Sequence, residues 1–267
     1  METIQLPLGD VVELLNSNGF YVSRLATPGQ IEKVIGLLKP WNTGHELIRL
    51  GSDGDGGYLL PNDLENIGAC FSPGVSHNSS FEAALAQGFG IKSFLADHSV
   101  DGPGDGLATY DFEKKHLGCR NDETSIRLED WVNQKAPDET DLILQMDIEG
   151  AEYPVLIDTS PETLNKFRII IIELHDLPAI ASRSFNAQAD AVFHKLTRNH
   201  SVVHLHPNNH QGQFRVGNLD IPRVMEVTLL RNDRIASRHS RSDFPHALDQ
   251  ANDPGKPELA LPRCWYA

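Results

Sequence analysis

The sequence predicts an α/β fold in which a mostly parallel sheet carries helices on both faces. Two apolar runs, at residues 142–144 and 169–172, are typical of strands that are buried on both sides. A third observation is the order strand, turn, helix, strand that begins at Gly68, which is the order of a parallel βαβ unit. Strands that alternate with helices in this way favour one sheet covered by helices.

The length and the charge limit the classes of protein to which the chain can belong. Its 267 residues suit one large α/β domain, or one domain with extensions. The formal net charge of −14 argues against a nucleic-acid partner, which would require a basic face, and against adsorption to an anionic membrane. We therefore expect neither nucleic acid nor membrane among its partners.

The cysteines and the amino terminus predict a cytoplasmic protein. Cys70, Cys119 and Cys264 are odd in number and widely spaced, which suits a reducing compartment. The stretch METIQLPLGD has neither a basic region nor an apolar core, so we expect no signal peptide. We also find no apolar run of membrane-spanning length.

Residues 1–45 predict an N-terminal helical extension that covers a sheet edge or the mouth of a site. A short helix is expected at residues 10–15 and a second one from Pro28 to just before Pro40. Proline is favourable in the first turn of a helix but cannot continue one. The apolar face of the second helix is formed by Ile31, Val34, Ile35 and Leu38.

A glycine-rich loop follows at residues 51–57. Asp53 and Asp55 alternate with glycine as in a calcium-binding loop, but no glutamate stands at the last position of that pattern. An ordinary hairpin turn is the other interpretation, because glycine permits the positive φ that tight turns need. The sequence leaves both interpretations open.

The segment after Gly68 predicts a nucleotide-binding unit. The expected elements are a strand at 69–71, a helix at 78–87 and a strand at 91–96. Only Gly74 remains of the G-x-G-x-x-G pattern in the turn between them. Asp97 ends the second strand, where an acid can accept hydrogen bonds from both hydroxyls of a ribose.

The rest of the chain continues the alternation of strands and helices. We expect a strand within 109–117, a helix at 125–133, a helical or looped segment at 161–166, a helix at 187–198, and strands at 201–206 and 224–230. Residues 231–267 are rich in Pro, Asp, Arg and His, and predict a tail that wraps the surface.

Acidic side chains follow both apolar strands of the predicted sheet. Asp147, Glu149 and Glu152 come after the first strand, and Glu173, His175 and Asp176 end or follow the second. Ligands of open α/β sheets bind beyond the carboxyl ends of the strands, so we expect these groups in one crevice. Crowded carboxylates repel and raise each other's pKa. Helix capping and exposure to water are the alternative interpretations for Glu149 and Glu152.

These motifs together resemble a known family. The blocks LQMDIEGAEYPVL and IIIIELHDL, after the strand, glycine turn and strand-Asp, resemble the FkbM family of S-adenosylmethionine-dependent methyltransferases over residues 68–230. The resemblance implies a Rossmann-like seven-stranded sheet whose last strand is antiparallel, within a catalytic domain at 46–230. It also implies O-methylation of a hydroxyl on a sugar, glycan or secondary metabolite.

The resemblance also implies roles for individual residues. The implied cofactor-binding residues are Ser72, Gly74, Ser76, Asp97 and Asp147. Asp147 would lie beside the transferred methyl group, with Glu173 and His175 across the crevice as further catalytic residues. The turn Ser-Pro-Gly-Val-Ser replaces the usual glycine-rich loop, so it stays open whether Arg49 or the glycine-rich loop holds the cofactor's carboxylate.

Two chemistries are open for the proton that leaves the acceptor hydroxyl. His175 is a candidate general base, because an unperturbed imidazole titrates near neutrality. Alternatively Asp147, Glu173 and Asp176 bind Mg²⁺, which lowers the pKa of the hydroxyl. His175 then remains a structural histidine or a further ligand. The cluster His204, His206 and His210 is a weaker candidate for a metal site.

Other classes of function remain as alternatives. A metal-dependent hydrolase or a nicotinamide oxidoreductase could use a similar sheet, and a non-catalytic module could retain it for cofactor binding. The intact Asp97, Asp147 and Glu173 favour an enzyme. A small molecule or a glycan is the expected acceptor, and the oligomeric state stays open, a homodimer included.

Overall fold

The computed structural model describes residues 7–20, 22, 24–104, 107 and 110–267. The α-helices are α1 (Leu8–Ser17), α2 (Pro28–Gly36), α3 (Ser80–Phe89), α4 (Leu128–Lys135), α5 (Glu152–Asp158), α6 (Pro161–Leu164) and α7 (Arg183–Asn199). The first strands are β1 (Trp41–Asn42), β2 (Leu47–Gly51), β3 (Gly57–Pro61), β4 (Ala69–Pro73), β5 (Ser93–Ala96), β6 (Asp111–Glu113), β7 (His116–Gly118) and β8 (Ser125–Arg127). The later strands are β9 (Leu142–Met146), β10 (Phe167–Leu174), β11 (His200–Pro207), β12 (Gln213–Val216), β13 (Leu219–Pro222), β14 (Met225–Arg231) and β15 (His239–Ser240). Short 3₁₀ turns lie at Leu177–Ala181, Asn232–Arg234 and Arg263–Trp265.

Seven of these strands form the central sheet, in the order β11-β14-β10-β9-β4-β5-β6. The contacts from β10 through β9, β4 and β5 to β6 are parallel. Strand β14 runs antiparallel to both of its neighbours, β10 and β11. The predicted α/β fold, with seven mostly parallel strands and an antiparallel last strand, is therefore confirmed.

The two central strands separate two layers of core. Every residue of β9 and β10 is buried. Ile170 and Ile172 pack in the larger cluster with helices α2, α4, α5 and α7, whereas Ile169 and Ile171 pack with β3 and α3 on the other face. This burial on both sides explains why residues 142–144 of β9 and residues 169–172 of β10 are apolar without alternation.

Several local predictions need correction. Residues 125–127 form strand β8, which pairs with β7, so helix α4 begins only at Leu128. Ile126 is buried by that pairing, and tertiary packing overrides the helical pattern. The strand predicted within 109–117 is divided between β6 and β7, and residue 109 lies outside the described residues. The hairpin of β12 and β13 was not predicted.

The glycine-rich loop is a hairpin turn. Strands β2 and β3 pair antiparallel from Leu47↔Pro61 to Gly51↔Gly57, which confirms the hairpin interpretation. The Arg49 guanidinium donates hydrogen bonds to the carbonyl oxygens of Ser52 (3.1 Å) and Gly54 (2.9 Å). Arg49 therefore holds the loop in place.

The C-terminal segment is fastened to the sheet by buried polar pairs. His204 contacts Asp249 at 2.8 Å, and His206 contacts Glu258 at 2.9 Å and Glu226 at 3.3 Å. Burial opposes protonation of His206, but the charge and hydrogen bond of Glu226 and the hydrogen bond of Glu258 raise its pKa to about 10. The two histidines thus bind carboxylates of the chain itself.

Gly74 joins the ends of two neighbouring strands. Its φ is +85°, and an added Cβ would lie 1.5 Å from the carbonyl oxygen of Asp147. The Gly74 amide donates to the Ala96 carbonyl at 2.9 Å, and the Asp147 amide donates to the Pro73 carbonyl at 3.2 Å. Only glycine fits this close approach of two backbones.

We predict that Gly74→Ala lowers the free energy of unfolding by at least about 2 kcal/mol, because the methyl group meets backbone and the φ is unfavourable for alanine. Gly88→Ala is the matched control, since Gly88 lies in α3 with no atom within 4 Å of the added Cβ. That control should gain about 0.5–1 kcal/mol. Urea unfolding measures both, and equal stabilities for the two variants would contradict the packing role of Gly74.

Candidate active site at the carboxyl edge of the sheet

Three neighbouring cavities open at the carboxyl ends of β4, β5, β9 and β10. Asp55 and Asp147 line all three. The acidic cavity, of about 190 Å³, is lined in addition by Glu149, Glu173, His175, Asn208, His210, Gln211, Val224 and Asn252. The inner cavity, of about 80 Å³, is lined in addition by Gly56, Tyr58, Gly74, Val75, Ser76, Asn78, Phe81, Glu82 and Gln145. The outer cavity, of about 460 Å³, is lined in addition by Gly74, Ser76, Ala96, Asp97, Ser99, Lys115, His116, Leu117, Ile148, Glu149 and Ala151.

Asp147 and Glu173 form a coupled pair of carboxyl groups in the acidic cavity. Burial and the charge of Glu173 raise the pKa of Asp147 far above its usual range. Burial and the charge of Glu226 raise the pKa of Glu173, although a 2.7 Å hydrogen bond from the Asn208 amide opposes the rise. Two carboxylates so close cannot both ionise readily, so the pair retains a proton near neutral pH.

His175 lies between two sets of acids. Its Nδ1 is 3.0 Å from Glu152 Oε1, and its Nε2 is 3.5 Å from Glu149 Oε2 and 3.9 Å from Asp147 Oδ1. Burial opposes its protonation, but the hydrogen bond and charge of Glu152, with the charges of Glu173 and Glu149, raise the pKa of His175 to about 9. The sequence predicted that His175 titrates near neutrality. That prediction needs correction, because the surrounding carboxylates raise its pKa.

Glu152 organises the turn that carries Asp147. Its side chain is fully buried, and Oε1 accepts hydrogen bonds from the amides of Ile148 and Gly150, both at 3.2 Å. Glu149 and Gly150 adopt positive φ values of 55° and 101°, which reverse the chain between β9 and α5. Glu149, by contrast, faces water with 84% of its side chain exposed. Glu149 and Glu152, for which capping or exposure to water was an alternative, therefore differ: Glu152 is buried and accepts from backbone amides, and Glu149 is exposed.

Asp97 is held in a fixed orientation beside the outer cavity. Its Oδ2 accepts from the Ser76 amide at 2.9 Å, and its Oδ1 accepts from the amide and hydroxyl of Ser99, both at 2.7 Å. Burial opposes ionisation, but the hydrogen bonds of Ser99 and Ser76 keep the pKa of Asp97 below its usual value. The result is an anionic carboxylate with lone pairs left for a ligand.

Ser72 lies beneath the inner cavity rather than on its wall. It is fully buried, and its hydroxyl contacts Glu82 Oε1 and, at 2.6 Å, Gln145 Oε1. Gln145 in turn donates to the Tyr58 hydroxyl at 3.1 Å. Ser72, which the resemblance placed among the cofactor-binding residues, contacts Glu82 and Gln145 of the inner cavity's lining and is not itself among the lining residues.

The structure brings some of the predicted metal ligands together and not others. Among the described residues, Asp147, Glu149 and His175 place ligand atoms within 4.8 Å of one another. Glu173 and Asp176 are not part of that group, and Asp176 is exposed in a left-handed conformation beside Gly150. The cluster of His204, His206 and His210 likewise does not form such a group within the described ranges.

Sequence reasoning missed four residues of the site. Asp55 was assigned only to a loop, whereas Tyr58, Glu82 and Gln145 were not considered. Each depends on a long-range contact: Asn78, for example, donates at 2.9 Å to the Asp55 carbonyl and so folds the hairpin over the cavities. Glu82 stands three residues before Leu85, on the apolar face of α3, and an acid at such a position is a sequence signal for burial, although it does not reveal the partner.

The sheet and its cavities define an α/β protein whose cavities open at the carboxyl edge of the strands, the edge at which open α/β sheets bind ligands. Residues 90–200 match the family model described as the Methyltransferase FkbM domain, which confirms the resemblance that the sequence motifs indicated. Asp97, Asp147, Glu173 and His175 fall inside the matched segment, which covers less than half of the chain. A comparison with curated proteins finds no match.

Within the described residues, no helix is both long enough and apolar enough to cross a bilayer.

We predict that Glu152→Gln lowers the pKa of His175 from about 9 by at least roughly one unit, since the largest favourable contribution to its protonation is removed. Proton NMR of the His175 imidazole across pH 5–11 measures the change. Glu149→Gln is the matched control and should change the pKa less, because that carboxylate is solvated. A larger shift in the control than in Glu152→Gln would contradict this assignment.

Proposed function

We propose that the protein is an S-adenosylmethionine-dependent O-methyltransferase that acts on a hydroxyl of a sugar, glycan or secondary metabolite. One observation carries the proposal: the outer cavity, with its oriented Asp97, and the acidic cavity, with His175, meet at Asp147. A donor and an acceptor bound in the two cavities would approach each other at that residue. Methyl transfer is a displacement between two bound molecules and needs this arrangement.

The outer cavity suits the adenosine part of the cofactor. Its size of about 460 Å³ fits a nucleoside, and its walls combine Asp97 with the apolar Leu117 and Ile148. The Asp97 carboxylate would accept the ribose hydroxyls, because its two oxygens are already oriented by Ser76 and Ser99. The bound cofactor supplies an electrophilic methyl group on a sulfonium.

The acidic cavity suits a polar, hydroxyl-bearing acceptor. Asn208, His210, Gln211 and Asn252 offer hydrogen-bonding groups around its opening. The Asn252 Oδ1 is buried and has no hydrogen-bond partner among the described residues, so it can accept from a ligand hydroxyl. This polar lining favours a sugar or glycan over an apolar metabolite.

His175 is the group that we assign to remove the proton. Its Nδ1 is held by Glu152, which leaves Nε2 toward the cavity. In the neutral form Nε2 would accept the hydroxyl proton while the oxygen bonds to the methyl carbon and the carbon–sulfur bond breaks. Asp147 would offset the positive charge of the sulfonium, and Glu173 would stabilise the imidazolium.

The rival classes of function have less support. A nicotinamide oxidoreductase would also use Asp97 and the outer cavity, but the FkbM match favours methyl transfer. Calorimetry that finds binding of S-adenosylhomocysteine and none of NADH would separate them. Transfer of a labelled methyl group to a product that resists alkali would then exclude a methyl ester, as methylation of an acceptor hydroxyl requires.

We predict that Asp97→Ala weakens S-adenosylhomocysteine binding by about 10- to 100-fold, because two charge-assisted hydrogen bonds to the ribose are lost. Asp101→Ala, an exposed acid of the neighbouring loop, is the control and should bind normally. Isothermal calorimetry measures both affinities. An unchanged affinity in Asp97→Ala would remove Asp97 from the cofactor site.

We predict that His175→Ala lowers turnover by about 10²–10⁴-fold and leaves S-adenosylhomocysteine affinity nearly intact. In the wild type, kcat/KM should rise with pH up to about 9, because His175 must lose its proton before it can act as a base. The variant should lack this rise. His194→Ala, on the exposed face of α7, is the control. Normal turnover in His175→Ala would exclude the histidine as base.

A hard divalent cation such as Mg²⁺ is a second route to the same chemistry. Asp147 Oδ1 is buried without a hydrogen-bond partner in the described part of the chain, and with Glu149 and His175 it could hold such an ion. The ion would lower the pKa of the acceptor hydroxyl. If His175 suffices, activity survives EDTA in full; a loss that Mg²⁺ or Mn²⁺ restores would instead establish the metal route.

A further inference from the structure

We propose that Glu82 binds the positively charged α-ammonium group of the cofactor's amino-acid part. The inference rests on the proposed function, since it concerns the same cofactor. It assigns to the inner cavity a specific chemistry, the recognition of an ammonium group by a buried carboxylate. It also gives a role to a residue outside the segment that the family model matches.

Glu82 is a buried acid with an unused oxygen. Only 2% of the residue is exposed, and Glu82 is one of the residues that line the inner cavity. Oε1 contacts the Ser72 hydroxyl, whereas Oε2 has no hydrogen-bond partner among the described residues. A buried carboxyl oxygen without a partner is costly, so a donor from a ligand is the expected complement.

The hydrogen-bond network that joins Glu82 to Ser72 and Gln145 also lacks a donor. The Ser72 hydroxyl has one proton, yet it contacts both Glu82 Oε1 and Gln145 Oε1, which are acceptors. Burial also raises the pKa of Glu82. A protonated Glu82 would satisfy this network without a ligand, and a bound ammonium group would favour the ionised carboxylate instead.

The lining of the inner cavity has acids but no base. Asp55, Glu82 and Asp147 all contribute to it, and its described lining residues include no lysine, arginine or histidine. Tyr58, Gln145 and Asn78 supply the remaining polar groups. The unbalanced negative charge favours a cationic ligand group over an anionic one.

The position and size of the inner cavity select which part of the cofactor it can take. It shares Gly74 and Ser76 with the outer cavity, so a molecule whose ribose lies at Asp97 can continue past Asp147 toward Glu82. Its volume of about 80 Å³ is too small for a nucleoside but accommodates a group of a few atoms. The ammonium group of the cofactor's amino-acid part is the group that fits both this volume and the acidic lining.

The test compares three probes by calorimetry on the full-length wild type and on Glu82→Gln. The probes are S-adenosylhomocysteine, its analogue with hydrogen in place of the amino group, and methylthioadenosine, which lacks the whole amino-acid part. The wild type should bind S-adenosylhomocysteine about 10- to 100-fold more tightly than the deaminated analogue, the usual effect of one charge-assisted hydrogen bond. Glu82→Gln should lose most of that preference and bind methylthioadenosine as the wild type does.

Two controls separate recognition from folding. Glu123→Gln removes an exposed carboxylate and should keep the full preference of the wild type. Should Glu82→Gln fail to fold, the two affinities of the wild type still decide the matter, because equal binding of S-adenosylhomocysteine and the deaminated analogue overturns the proposal. A folded Glu82→Gln that keeps the wild-type preference overturns it as well.

The result also distinguishes this inference from the function on which it rests. A wild type that binds neither S-adenosylhomocysteine nor methylthioadenosine would refute the proposed cofactor and, with it, the role of Glu82. A wild type that binds both with equal affinity would keep the adenosine site at Asp97 and refute only the role of Glu82.

Discussion

The concentration of negative charge at the carboxyl edge of the sheet is the constraint on which the site depends. The three cavities are lined by the six carboxyl groups of Asp55, Glu82, Asp97, Asp147, Glu149 and Glu173. The cationic or titratable bases in the same lining are Lys115, His116, His175 and His210. Such crowding is unfavourable unless the acids are protonated, hydrogen-bonded or matched by a cation. Raised pKa values and hydrogen bonds accommodate the acids in this structure, and the sulfonium and ammonium groups of the proposed cofactor would supply the matching cations.

Each acid is accommodated in a different way, and the differences suggest different roles. Asp97 is kept ionised by three hydrogen bonds, which suits a stable contact to neutral hydroxyls. Burial and the charge of Glu173 raise the pKa of Asp147, which favours its neutral form until a positive charge arrives. Glu152 Oε1 accepts from two backbone amides and contacts His175, whereas Oε2 has no hydrogen-bond partner among the described residues, so the contact to the histidine is the one that links Glu152 to the acidic cavity.

Much of the fold could be predicted from the sequence, because its signals are local. The apolar runs of β9 and β10 fixed the centre of the sheet, and the acids at their ends indicated the edge at which the cavities open. The buried contacts of Ser72 and Glu82 could not be predicted in this way. Helix α3 turns Glu82 toward Ser72 and Gln145 across the strands, and no spacing in the sequence reveals that contact. The pKa of His175 was mispredicted for the same reason, since it depends on acids from three parts of the chain.

The central claim is that the three cavities form one continuous site with Asp147 at the junction of donor and acceptor. A crystal structure with S-adenosylhomocysteine tests it most directly. We expect the ribose hydroxyls to contact Asp97, the sulfur atom to contact the Asp147 carboxylate and the amino group to contact Glu82. Electron density for the ligand at another edge of the sheet, or with its sulfur atom turned away from Asp147, would contradict it.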